Sequence, residues 1–142
     1  IDTEDIMGES VWFKNNKRKS TFEIIFNVYD EMLAELKASL KDKSDERDNF
    51  KILLDPANLI ANSDEEDIFK YLKDYIAYFH GKDRKVNDAK GRNVGEGDID
   101  WVKFLSLRKK HTPDAAFILE YCNKTNCEMV KERVLEYAKQ VV

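Results

Sequence analysis

The stretch Asp64-Glu65-Glu66-Asp67-Ile68-Phe69-Lys70-Tyr71-Leu72-Lys73-Asp74-Tyr75-Ile76-Ala77-Tyr78-Phe79-His80-Gly81 decides how the fold is read. Ile68, Phe69, Leu72, Tyr75, Ile76 and Phe79 recur at the three- and four-residue spacing that keeps apolar side chains on one face of a helix. Ser63 stands three places ahead of Glu66, the reciprocal pattern of a capped helix start. Gly81 can take the left-handed conformation that closes a helix. The spacing therefore predicts one helix from Asp64 to Phe79.

Working outward, the same pattern recurs. Phe22, Ile25, Phe26, Tyr29, Met32, Leu33, Leu36 and Leu40 form a stripe behind the capping pair Ser20 and Glu23. Thr125 with Glu128 repeats that pair, while Asp55 before Pro56 and Thr112 before Pro113 combine a capping side chain with a proline that suits a first turn. Asp98 is a further candidate cap. These signals predict helices over Ile99 to Lys110, Asp114 to Cys122 and Asn126 to Val141, a shorter one over Asp45 to Leu54, and a turn or two over Pro56 to Ala61. Strand-favouring runs such as Val11-Trp12-Phe13 are too short to show sustained alternation. The expected fold is all-α, an irregular bundle of six to seven short-to-medium helices. Residues 1–19 read as a charged N-terminal tail and 20–142 as a single helical domain with a flexible basic loop at 81–97, which holds four of the five glycines.

Composition supports one folded domain. The 142 residues are 42% hydrophobic and 37% charged, and eight Phe, six Tyr and two Trp exceed what a disordered segment carries. No apolar run approaches the roughly 18–20 residues of a membrane-spanning helix, and no basic-then-apolar leader opens the chain, so no membrane partner is expected. Cys122 and Cys127 read as free thiols of a reducing, intracellular compartment. Had they bridged, with Asn123-Lys124-Thr125 as a glycosylation sequon, a secreted helical ligand or effector would be the reading.

Motifs for chemistry fail one by one. Gly91-Arg92-Asn93-Val94-Gly95-Glu96-Gly97 lacks the Lys-Ser or Lys-Thr of a phosphate loop, and Glu96 and Asp98 would repel phosphate. A calcium-loop register through Gly97-Asp98-Ile99 puts Arg92 and Lys103 where carboxylates belong. The cysteines lack zinc spacing, and only His80 and His111 are available as imidazoles. Both histidines fall at expected helix ends, and the carboxylates of Asp64 to Asp67 suit the positive end of a helix rather than an acid–base pair. No catalytic residue, metal or cofactor is therefore expected.

By elimination the reading is a non-catalytic protein-interaction or regulatory module. Phe69, Tyr71 and Tyr78 are its candidate partner-binding residues, because the aromatics of that segment cover more of a helix than one core face needs. The alternative is a helical nucleic-acid-binding domain. Its candidate contacts are Lys14, Lys17, Arg18 and Lys19, then Arg84, Lys85 and Arg92, then Arg108, Lys109 and Lys110, with Trp12 and Trp101 available for stacking. The formal charge of -4 opposes that alternative unless the three clusters share one face.

Overall fold

The computed structural model describes residues 51–61 and 63–142, together with Asp30, Glu31, Ala34 and Ala38. The four isolated residues are helical and exposed, and none belongs to the apolar stripe expected over Phe22 to Leu40. The tail at 1–19 and its basic cluster lie outside the described residues.

The described fold is mixed α/β, and the all-α expectation is corrected by a parallel sheet. Strands β1 (Ile52–Leu54), β2 (Ile76–Gly81) and β5 (Ala116–Leu119) lie in the order β1-β2-β5. Leu54 stands beside Phe79, Phe79 beside Phe117, and Gly81 beside Leu119. Helix α1 (Glu65–Leu72) connects β1 to β2. An antiparallel hairpin of β3 (Asp83–Lys85) and β4 (Asp88–Arg92), then α2 (Trp101–His111), connect β2 to β5, and α3 (Cys127–Lys139) follows. Because α1 packs on α2 and α2 on α3, the winding advances one strand at a time in a single sense.

The deciding stretch divides into two elements. Asp64, not Ser63, caps α1, its carboxylate accepting from Asp67 N at 2.9 Å. The helix stops at Leu72, a single 3-10 turn covers Lys73–Tyr75, and the chain is extended from Ile76. Ile76 is β-branched and Tyr78 and Phe79 are aromatic, so this run accepts a pleated conformation, and partners on both sides satisfy its backbone. The helix expected over Asp114 to Cys122 is likewise β5, and the end of that expected over Asp45 to Leu54 is β1.

Three rings from three elements join the layers. Phe69 of α1, Phe79 of β2 and Phe104 of α2 have no exposed surface, and their centroids lie 5.2–5.8 Å apart. Trp101 extends the cluster edge-on to Phe104 and to Phe117 of β5. Ile52, Leu54, Ile68 and Leu72 complete the interior between sheet and helices.

Candidate metal centre

Three chain positions converge at the C-terminal ends of the parallel strands. Asp55 directly follows β1, His80 is the second-last residue of β2, and Glu120 directly follows β5. One ligand-type atom from each lies within 4.8 Å of the other two. Asp55 also caps the 3-10 turn Pro56–Asn58 as expected, its Oδ1 accepting from Ala57 N at 2.9 Å. That bond fixes the carboxylate and leaves Oδ2 to face the centre. Glu120 N donates to Gly81 O at 3.2 Å, which carries the β2–β5 pairing one residue further and holds Glu120 beside His80.

Lys82 lies among them. Its ammonium is 2.6 Å from Asp55 Oδ2 and 3.3 Å from Glu120 Oε2, and His80 Nδ1 is 3.5 Å from the same Glu120 oxygen. Asp55 is fully buried, and burial pushes its carboxyl up to about 6 against the opposing pull of Lys82. Two carboxylates and an imidazole around one cationic group form a donor set suited to a divalent ion of the N/O-binding class.

Asp83, the next residue, anchors the chain that leaves this centre. Its buried carboxylate accepts from Arg84 N at 2.8 Å, Gly95 N at 2.9 Å, Ile99 N at 3.3 Å and Trp101 Nε1 at 2.7 Å. The 81–97 stretch expected as a flexible loop is thus a hairpin whose exit is tied down at both ends, since Arg133 of α3 also donates to Val94 O at 2.7 Å. Glu65 joins the starts of α1 and α2 by accepting from Asp100 N at 3.1 Å.

A cleft of about 150 Å³ adjoins the centre, lined by Asn58, Lys82, Arg84, Gly91, Glu120 and Tyr121 among others. Tyr121 has φ 69, a left-handed conformation unusual for a residue with a side chain. It follows Glu120 directly, and its ring lies against Gly91, where a Cβ would overlap it.

The candidate residues read from sequence fall elsewhere, with one exception. Phe69 is in the core, whereas Tyr71 on α1 is 43% exposed and Tyr78 on β2 is 36% exposed, so the three share no helix face. Arg84, Lys85 and Arg92 come together on the hairpin, where Arg92 pairs with Asp88 at 2.7 Å, and Arg84 reaches the cleft. Arg108, Lys109 and Lys110 close α2, and Arg108 donates to the carbonyls of Pro113 and Ala115 at the start of β5. Those two clusters therefore sit at opposite ends of the sheet. Lys14, Lys17, Arg18 and Lys19 lie outside the described residues. The centre itself, Asp55, His80 and Glu120, was missed. Its trace in the sequence is that three short apolar runs, Ile52-Leu53-Leu54, Ile76 to Phe79 and Ala116 to Leu119, each lead into a residue of metal-ligand type.

Residues 29–141 match the family model described as Xylose isomerase-like TIM barrel. The chain matches no curated protein and no solved structure. The family match reaches beyond the fold, because the family is typically enzymatic. It overturns the expectation of a non-catalytic interaction or regulatory module, and the mixed α/β fold removes the helical frame on which both alternatives, the nucleic-acid-binding domain and the secreted ligand, were built.

Proposed function

The chain belongs to the Xylose isomerase-like TIM barrel family, and from that premise we propose that it acts as a divalent-metal-dependent isomerase on a sugar-like hydroxycarbonyl substrate. The observation that carries this reading is the convergence of Asp55, His80 and Glu120 at the carboxyl ends of three adjacent parallel strands. That end of the sheet is where barrels of this class assemble their active sites. Two carboxylates and an imidazole with their ligand atoms within 4.8 Å of one another suit a divalent ion and leave positions open for substrate oxygens, and the Lys82 ammonium now against both carboxylates would give way to the ion. When bound, a divalent ion supplies Lewis-acid polarisation of a carbonyl and a template for neighbouring oxygens.

The chain's own groups do the remainder. Asp55 and Glu120 bring the negative charge that holds the ion, and His80 brings the nitrogen ligand. Lys82 offers N–H donors to a substrate oxygen whose negative charge grows as hydrogen passes from one adjoining carbon to the other. Isomerisation moves a hydrogen from one carbon to its neighbour and a proton between their oxygens, so it consumes no electron donor or acceptor. Tyr121 and the hairpin line the cleft.

The test is isomer formation followed by NMR, with a panel of aldoses, ketoses and their phosphates and with Mn²⁺ or Mg²⁺ present. The expected result is conversion of at least one substrate to its isomer, abolished by chelator and slowed at least about 100-fold in Glu120→Gln. Conversion that is indifferent to chelator, or no conversion across the panel, would overturn the reading.

A further inference from the structure

Arg84 lines the cleft beside the centre, and among the described residues its guanidinium has no carboxylate partner. Its guanidinium is nevertheless held in place. Nε donates to Lys85 O at 3.1 Å and one Nη to Val86 O at 3.2 Å, so the planar fork is fixed on the hairpin before any ligand arrives. The acidic residues nearest in the chain are engaged elsewhere. Asp83 serves the buried N–H groups, Asp88 pairs with Arg92, and Asp98 accepts from Val86 N at 2.9 Å; none of them lines the cleft.

The charges around the cleft then have a simple consequence. Asp55 and Glu120 balance Lys82 and Arg84, so a divalent ion held by the centre leaves the pocket with two positive charges in excess. A neutral sugar would leave that excess uncompensated in a confined space, whereas an anionic group would neutralise it. A planar, pre-oriented guanidinium suits the two oxygens of a phosphate or carboxylate.

We infer that the substrate is anionic, a hydroxycarbonyl compound whose phosphate or carboxylate group is received by Arg84 on the β3–β4 hairpin. The inference rests on the metal-centre reading above for the position of the reacting end. It adds the class of substrate and the residue that selects it.

The test uses equilibrium binding to the Mn²⁺-loaded protein, with D-ribose, D-ribose 5-phosphate and D-riburonate as probes, in the wild type and in Arg84→Gln. At least one of the two anions should bind the wild type about tenfold or more tightly than ribose, and Arg84→Gln should reduce that preference to about threefold or less. Which anion is preferred identifies phosphate or carboxylate as the recognised group. Equal binding of all three probes by the wild type, or an anion preference that survives in Arg84→Gln, would overturn the inference. Mn²⁺ affinity is measured in the same samples. A wild type that binds no Mn²⁺ defeats the metal-centre reading, whereas normal Mn²⁺ binding without anion preference defeats only the role of Arg84.

Discussion

Asp83 shows how one residue supports the site without touching its ligands. It is a buried carboxylate that serves three backbone N–H groups and the Trp101 indole, and it follows directly after Lys82. The chain around it is shaped to fit. At Gly97 a Cβ would overlap both the Asp83 carboxylate and the Arg84 carbonyl, and Gly95 takes φ +85 with its N–H aimed at the same carboxylate. Asp83→Ala leaves several buried donors without an acceptor. It is expected to cost about 3 kcal/mol or more in urea unfolding, and a loss below about 1 kcal/mol would show that the network is not needed. Legibility at this scale is uneven. The cap at Asp55 before Pro56 can be read because it is local, but its second role depends on Lys82 and Glu120, which only the sheet brings near. The role of Arg84 is hidden in the same way. As one cation in a basic stretch it reads as solvated charge, and only the cleft distinguishes it from Lys85 and Arg92.

Elements were misread where two periodicities coincide. Ile68, Phe69 and Leu72 line the buried side of α1, and Phe79 lies on the buried side of β2, yet all four fit one continuous helical stripe. A strand of six residues that opens with four apolar ones in a row, Ile76 to Phe79, shows no alternation to contradict that stripe, and β1 and β5 are shorter still. The helices that are exposed on one side were legible. Thus α2 and α3 fall within a residue or two of the expected Ile99 to Lys110 and Asn126 to Val141. The break after Leu72 makes Phe79 the residue that fixes β2 between α1 and α2. Phe79→Ala should cost about 3–5 kcal/mol and Leu72→Ala about 2–5 kcal/mol, measured by denaturant unfolding. Losses under about 1 kcal/mol at both would contradict this packing.

For the whole molecule, chain order and function follow from one arrangement. A singly wound parallel sheet directs every strand end toward the same side, so residues distant in the sequence meet there without any local motif. This is why composition and spacing pointed away from catalysis while the assembled sheet points toward it. The same arrangement ties metal binding to stability, because the three ligands come from three strands that separate on unfolding. At a hundred times its dissociation constant, Mn²⁺ should stabilise the protein by about 2.7 kcal/mol, read as a chelator-reversible shift in thermal unfolding. An unchanged midpoint would mean that the folded state offers no site beyond that of the unfolded chain. The most direct test of the central claim is a calorimetric titration of Mn²⁺ into the wild type, His80→Ala and Glu120→Gln. The account predicts one site in the wild type and affinity reduced at least about 100-fold in each variant, with circular dichroism unchanged. A wild type that binds no Mn²⁺, or variants that bind it as the wild type does, would contradict the assignment of Asp55, His80 and Glu120 as a metal centre.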